Sequence, residues 1–334
     1  MRRMIRLILV PLLFFPAVLA LAGNTVDWDV QALSYMHDLE FFEESGEHQE
    51  GRTYFGQHFV PRAVFNPAPG VRLSAGLVFD VVFGRDTADN WDAVEPYLHL
   101  ETDFGASTLR LGNLDRRRQR LHAALIGPEL EYDRPADRGL SLRTDSERWS
   151  QHLWIQWRLQ ERIDRRELFD VGFDGRWDLG DTETGDFALI LQGHVVHRGG
   201  QLSSVGLLEE SWGVLAGPAW RPALGDSGWR ANLSVLTGAT ADRRFRHEGR
   251  GSEFGLGVEH GGFSVRGVRW WGDEFATMDG RRLYRVDELT SWSLRQRWRP
   301  GGLIDADLGY RANMIDGDLE SEFWLVFDLK SLKN

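Results

Sequence analysis

The chain has 334 residues, of which 50 are Asp or Glu and 39 are Lys or Arg, so its formal net charge at pH 7 is −11. This acidic balance argues against nucleic acid as a partner. The chain contains no cysteine, so an exported protein of this size would have to be stable without disulfide bonds.

The first 22 residues predict a secretory signal peptide. Three arginines within the first six residues precede an apolar run, and Ala20-Leu21-Ala22 forms a small-residue cleavage site. We expect cleavage before Gly23, which leaves residues 23–334 as a single domain and takes the net charge from −11 to −14. No run of about 18 apolar residues occurs later in the sequence, so no transmembrane helix is predicted. Export to the periplasm, the outer membrane or the medium is therefore expected.

Apolar residues then recur with a period of two. In VRLSAGLVFDVVF (71–83) the odd positions are apolar, whereas the even positions include Arg72, Ser74 and Asp80. The segments VGFDGRWDL (171–179), FGLGVE (254–259) and WSLRQRW (292–298) alternate in the same way. A period of two over this length predicts strands with one apolar and one polar face.

Short turns and longer charged segments divide these strands. Turn-like sequences occur at 66–70, 103–105, 144–147, 180–186, 222–228, 260–262 and 299–302. Longer charged segments lie between them at 43–51, 84–90, 114–139, 160–166, 199–204, 241–251, 272–282 and 313–318. Seven short turns and eight long loops join 16 strands. This pattern predicts an all-β fold, a transmembrane antiparallel up-and-down β-barrel of 16 strands within a range of about 14 to 18.

A β-propeller has a similar repeat length, but it needs four short strands per repeat where this sequence offers two long ones. The barrel also explains LWIQWRL (153–159), which mixes Gln156 and Arg158 with apolar residues. In a barrel strand the odd positions face lipid, while Trp154, Gln156 and Arg158 face the lumen. There water or partner charges can solvate the arginine.

The sequence resembles porin-like outer-membrane β-barrel proteins of Gram-negative bacteria. The resemblance lies in the amino-terminal leader and in residues 100–115, 138–159, 165–177 and 322–329. It implies an outer-membrane location with both termini in the periplasm, and insertion by the barrel-assembly machinery. Outer-membrane lipid and lipopolysaccharide are then the expected surroundings, and no cofactor is expected.

Strand parity assigns the two faces of the wall. The residues expected to face lipid are Val71, Leu73, Leu77, Phe79, Phe173, Trp177, Leu294, Phe323, Leu325 and Phe327. Tryptophans expected near strand ends, as in aromatic girdles, are Trp28, Trp91, Trp149, Trp177, Trp220, Trp229, Trp271 and Trp298.

The same parity predicts a charged lumen. The candidate lumen residues are Arg72, Asp80, Arg110, Arg158, Asp174, Arg176, Asp178, Arg285, Asp287, Arg295, Arg297, Asp305, Asp307 and Arg311. Such charges can set the selectivity of a channel or brace the wall as ion pairs. A hairpin centred near Gly301 would pair Arg297 with Asp305 and Arg295 with Asp307.

Catalytic patterns are sparse. His122 and His247 lie in predicted external loops near Glu129, Glu131 and Glu248, but nothing in the sequence relates them geometrically. His194 and His197 are three residues apart on a predicted strand, so they point to opposite faces and cannot share a metal. The GDSG sequence at 225–228 lies in a predicted turn without a triad around it.

The first loop (39–50) carries five glutamates, at positions 40, 43, 44, 47 and 50, which could bind divalent cations that bridge lipopolysaccharide. Taken together, the sequence predicts a porin-like channel for passive passage of small polar solutes or saccharides, and not an enzyme. The alternatives are a hydrolase or lipid-modifying enzyme embedded in the outer membrane, and a structural or export-accessory barrel with a plugged lumen.

Overall fold

The computed structural model describes residues 26–41, 51–83, 94–119, 121–133, 136–182, 185–202, 206, 208–243, 247–299, 303–315 and 317–329. The predicted leader and most of the acidic first loop lie outside these residues. Sixteen strands form one closed antiparallel barrel in which each strand pairs with its neighbours in the chain and β1 pairs with β16. The predicted fold class and strand number are confirmed.

The strands are β1 Val26–Phe41, β2 Arg52–Ala68, β3 Val71–Val82, β4 Glu95–Phe104, β5 Ser107–Asp115, β6 Ala136–Asp145, β7 Trp149–Leu159, β8 Glu167–Thr182, β9 Gly185–Gly199, β10 Glu209–Arg221, β11 Arg230–Asp242, β12 His247–His260, β13 Phe263–Asp273, β14 Glu288–Trp298, β15 Ile304–Ile315 and β16 Asp318–Leu329.

The connections differ between the two ends of the barrel. The seven predicted turns lie at one end, which we call the short-turn end. At the opposite, long-loop end, two segments predicted as long loops are short: only 243–246 joins β11 to β12, and only 316–317 joins β15 to β16. Strand pairing there continues through Asp242 and His247. The charged residues of these segments suggested solvent-exposed loops, but a strand with one polar face also accommodates charged residues.

The alternation of faces is as predicted. On β3, Ser74 and Val78 are buried in the interior, so the odd residues of that strand face outward. On β16, Trp324 and Val326 line the interior cavity, while Phe327 is exposed on the outer surface. The ten residues expected to face lipid therefore point outward. The outer surface is apolar, as a transmembrane barrel requires.

LWIQWRL follows the same rule. Leu153 and Trp157 are exposed on the outside, whereas Trp154 and Gln156 are completely buried. The Trp154 ring lies over Gly172 on the next strand, where an added Cβ would come within 2.0 Å of the indole. Glycine at that position therefore makes room for a tryptophan inside the barrel.

The tryptophans predicted at strand ends include Trp149 and Trp298, which are the first residue of β7 and the last of β14. Trp91 lies outside the described residues, and Trp177 lies well inside β8. No helix among the described residues is long and apolar enough to cross a membrane.

Candidate functional sites in the lumen and at the long-loop rim

Two connections at the long-loop end fold into the lumen. Inner loop A comprises residues 116–119 and 121–133, between β5 and β6, and inner loop B comprises residues 274–287, between β13 and β14. One hydrophobic cluster joins them to four strands of the wall; its buried members are Ala124, Leu125, Leu215, Trp270, Phe275, Leu283, Tyr284, Val286, Leu289 and Ile315. The middle of the lumen is thus filled by packed side chains.

Backbone contacts hold the two inner loops together. The Gly127 amide donates to the Asp279 carbonyl oxygen at 2.7 Å, and the Arg281 amide donates to the Ala123 carbonyl oxygen at 2.9 Å. The Thr277 hydroxyl donates to the Ala124 carbonyl oxygen at 3.0 Å. At Gly280 an added Cβ would lie 2.1 Å from that same oxygen, so the contact requires glycine. The loops therefore form one unit.

A buried charge cluster fastens this unit to the wall at Arg158. The guanidinium donates to Asp170 on β8 at 2.8 Å and to Asp279 on inner loop B at 2.8 Å. His194 on β9 lies 3.3 Å from Asp170, and Arg116 donates to Asp137 at 2.6 Å. Burial disfavours the charged form of Asp279, but Arg158 beside it holds the pKa of that carboxyl below its ordinary value. The arginine that looked anomalous in the sequence is an anchor for inner loop B.

A second cluster surrounds Arg281. Its guanidinium donates to Glu322 at 2.8 Å and to Glu320 at 3.4 Å, both on β16. Burial alone would lower the pKa of Arg281, but the neighbouring glutamates raise it above its ordinary value. His37 on β1 contacts the other oxygen of Glu322 at 2.7 Å. Inner loop B is therefore held on opposite sides of the barrel by two arginine–carboxylate clusters.

A cavity of about 800 Å³ remains between inner loop A and the short-turn end. We call it the basin. Eight carboxylates and ten arginines line it, the arginines being Arg62, Arg72, Arg116, Arg117, Arg118, Arg266, Arg295, Arg297, Arg299 and Arg311. Its lining therefore carries a small excess of positive charge.

Most of the predicted lumen charges lie on the inner wall with a polar partner. The pairs are Arg72 with Asp29 at 3.4 Å, Asp80 with His58 at 2.9 Å, Arg110 with Glu101 at 2.6 Å, Asp174 with Gln192 at 2.9 Å, Arg176 with Asp178 at 2.9 Å and Arg311 with Glu322 at 2.8 Å. Arg285 and Asp287 are exceptions, because both are exposed in inner loop B rather than on a strand. Inner loop B buries Leu283, Tyr284 and Val286, and this leaves the side chains of Arg285 and Asp287 exposed to solvent.

The predicted hairpin ladder is partly wrong. Arg297 lies opposite Asp307, and Arg295 lies opposite Gly309, so the register is shifted by two residues. Arg295 still donates to Asp307 at 2.8 Å, but diagonally, and Arg297 approaches the same carboxylate at 3.4 Å. Asp305 instead lies 3.5 Å from Arg299. The connection after Trp298 is longer than a tight turn at Gly301, which accounts for the shift.

The two loop histidines do have carboxylate partners, although not the predicted ones. His122 lies inside the lumen, where its Nε2 contacts Glu253 at 2.7 Å and its ring stacks on Trp270. Of the acids proposed for these histidines, Glu129 approaches Arg281 at 3.8 Å and Glu131 lines the basin. Parity places Glu253 on the inner face of β12, but its partnership with His122 depends on the fold of inner loop A.

His247 forms the second pair, at the long-loop rim. Its Nε2 lies 2.8 Å from Glu274, where inner loop B begins. Glu274 has a φ of 50°, and it is the one non-glycine residue with positive φ among those described. Such a conformation is costly and tends to persist where the surrounding structure requires it, often at functional sites. No sequence signal pointed to Glu274.

Other patterns carry no chemistry in the described residues. The GDSG segment is an exposed turn in which the Ser227 hydroxyl donates to the Leu224 carbonyl oxygen at 3.0 Å. His194 is buried in the lumen, whereas His197 packs against Phe169 on the outer face, so the two point apart as predicted. No group of three or more His, Cys, Asp or Glu residues suited to a metal ion occurs in the described part of the chain.

Solved structures with this fold are outer-membrane porins. An anion-selective porin from Comamonas acidovorans has a TM-score of 0.51 and 9% identity, covering 93% of this chain and 100% of that one. OpdL from Pseudomonas aeruginosa has a TM-score of 0.50 and 12% identity, covering 92% and 99%. The outer-membrane protein OpdK from the same species has 0.50 and 11%, covering 91% and 98%. At these identities the likeness shows a porin-like barrel fold alone.

No curated protein matches the sequence. A family model described as lipid A 3'-O-deacylase-type matches residues 20–299. That family is described by an enzymatic activity, so the expectation that the chain is not an enzyme is wrong. The sequence could not reveal this because the paired residues of each candidate site come from distant segments. With most of its length matched, this porin-like barrel belongs to the lipid A 3'-O-deacylase-type family.

Proposed function

We propose that the protein is an outer-membrane hydrolase that releases an ester-linked acyl chain from a lipid A-type glycolipid. The observation that carries this proposal is the His247–Glu274 pair at the long-loop rim, 2.8 Å apart and built on a residue with positive φ. Membership of a deacylase-type family supports the reaction class. The filled middle of the lumen is consistent with a barrel that serves as a scaffold.

The pair has the composition of a general base and its orienting group. Glu274 can accept a hydrogen bond from the Nε2–H of His247, which fixes the tautomer and leaves Nδ1 unprotonated to take a proton from water. That water attacks the ester carbonyl carbon, and the bond to the sugar oxygen breaks as His247 returns the proton to it. The products are a free carboxylic acid and a sugar hydroxyl.

The histidine–glutamate pair at the rim is more accessible to a lipid substrate than the pair in the lumen. In the orientation that we propose, the long-loop end faces the outer leaflet, where lipopolysaccharide and its lipid A are found. His122 is less suited, because Glu253 engages its Nε2 and the Ala124 amide donates to its Nδ1 at 3.2 Å. Insertion by the barrel-assembly machinery and contact with lipopolysaccharide belong to this same proposal.

The test is acyl release from lipopolysaccharide vesicles by the purified protein, followed by mass spectrometry of fatty acid and lipid products. We expect His247→Asn to lower the rate by about 10²- to 10⁴-fold, the usual contribution of a general base. Glu274→Gln should also lower the rate, and His197→Asn on the outer face should not. Absence of release by the wild type, or full activity of His247→Asn, would contradict the proposal.

A second candidate function is passage of small polar solutes or saccharides through the lumen. The porin-like barrel and the 800 Å³ basin favour it, but the solute must pass the inner loops or displace them. Conductance steps in planar bilayers would support this function, and silence across voltages would contradict it. In an open pore, Asp307→Asn should shift selectivity toward anions because Arg295 and Arg297 both share that carboxylate.

A further inference from the structure

We infer that the basin contains a binding site for a small oxyanion, of the phosphate or carboxylate class, centred on Arg118. This residue ends the 3-10 turn that opens inner loop A. Its side chain lines the basin. Neither His247 nor Glu274 lines the basin, so the site does not depend on the proposed hydrolase.

Arg118 differs from the two arginines before it. Arg116 donates to Asp137 at 2.6 Å, and Arg117 lies 3.0 Å from both Asp115 and Asp328. For Arg118, no ion pair or side-chain hydrogen bond is found within the described part of the chain. Arginine in a lumen normally has such a partner, because its planar fork is suited to paired oxygens.

The electrostatic surroundings of Arg118 favour a bound anion. Arg118 remains exposed to the basin, although partial desolvation inside the lumen and the nearby Arg110 guanidinium lower its pKa. The adjoining wall carries His152, which is 6% exposed and whose Nε2 has no hydrogen-bond partner. The His152 ring also lies close to the main chain of Arg118. Asp115 and Glu101 also act on Arg118, but Asp115 is bonded to Arg117 and Glu101 to Arg110, so guanidinium groups outnumber carboxylates at this wall.

Carboxylate sharing elsewhere in the basin adds to this excess. Asp29 is contacted by both Arg62 and Arg72. Asp307 is likewise shared by Arg295 and Arg297, which remain about one third exposed. An anion entering from the short-turn end would meet several partly satisfied guanidinium groups before reaching Arg118. Phosphate and carboxylate ligands both offer the paired oxygens that such groups recognise.

The basin is also large enough for an organic anion. Small-molecule sites have volumes of about 300 to 1,000 Å³, and the basin is about 800 Å³. Trp298 and Trp324 line it beside the arginines, so a ligand with a sugar or aromatic body would find apolar contacts there. A small organic phosphate or carboxylate from the periplasmic side fits these features.

Calorimetric titration of the full-length protein in detergent, with inorganic phosphate and separately with citrate, tests the inference. We expect saturable binding of at least one anion at low ionic strength, and binding roughly 10- to 100-fold weaker in Arg118→Gln, since a charge-assisted hydrogen bond is lost. The matched control is Arg176→Gln, a lumen arginine outside the basin lining and paired with Asp178. That variant should bind like the wild type.

The outcomes are distinct. Phosphate binding alone would identify a phosphate site, and citrate binding alone a carboxylate site. Failure of both anions to bind, or equal weakening by the two arginine variants, would overturn the inference, because the second result indicates general attraction to the lumen. Arg118→Gln should leave acyl release from lipopolysaccharide vesicles unchanged, so loss of the anion site and loss of the hydrolase are separable.

Discussion

Replacement of Arg158 by methionine tests whether inner loop B is held by a buried charge cluster. The change removes the partner of Asp170 and Asp279, whose side chains are 0% and 7% exposed. Removing one member of a buried ion pair typically costs about 3–5 kcal/mol, because the remaining charge has lost its compensation. Asp170 keeps His194 at 3.3 Å and Arg116 at 3.5 Å as neighbours, so we expect the lower end, about 3 kcal/mol.

The assay is equilibrium unfolding by urea of the protein folded into phospholipid vesicles, followed by tryptophan fluorescence. Arg176→Met is the matched control, because its pair with Asp178 is 31% and 40% exposed and should contribute about 0–1 kcal/mol. Adding Asp279→Asn to Arg158→Met should cost less than the sum of the two single changes, since the two residues are in contact. Equal losses for Arg158→Met and Arg176→Met would refute the reasoning.

Three further predictions follow from single positions. Leu77→Arg should destabilise the barrel by about 2–4 kcal/mol in the same assay, because the site faces lipid near mid-strand, whereas Leu77→Met should be almost neutral. Asp279 should stabilise the folded protein above its ordinary pKa of 3.8, and this contribution should be lost as pH falls through its depressed folded-state pKa. The free energies of unfolding of the wild type and Asp279→Asn should therefore converge only in strong acid. Gly280→Ala should cost about 1–3 kcal/mol through the clash with the Ala124 carbonyl, whereas Gly193→Ala should not, because its Cβ would make only an ordinary contact with the Gly213 carbonyl at 3.8 Å. Equal unfolding midpoints for the two variants would contradict the close approach of the loops.

Local sequence pattern determined the wall of this protein. In a barrel strand alternate residues meet lipid and lumen, so Leu77 and Phe327 could be placed outward from parity alone, and Arg158 inward. The short turns were equally predictable, because glycine, proline and polar residues bound each pair of strands. These features depend on neighbours a few residues apart, and they do not depend on the rest of the fold.

The inner loops show what a pattern of this kind misses. Residues 114–139 contain many charges and were expected to extend into solvent, yet Leu125 is completely buried. The apolar residues that allow this are few and are separated by charges. They become a core only where the lumen supplies Leu215 and Trp270 as partners. Burial of Arg116 likewise needs Asp137 and Asp170, which no local pattern relates to it.

The sequence by itself therefore determined strand number, strand faces and the charged character of the lumen, because each follows from a period-two pattern and its punctuation. Tertiary structure alone decided which charges meet. Asp279 reaches Arg158 across 121 residues, His122 reaches Glu253 across 131, and His247 meets Glu274 at the rim. Inward folding of two loops and closure of the barrel create these contacts, and both depend on packing between segments that are distant in the chain.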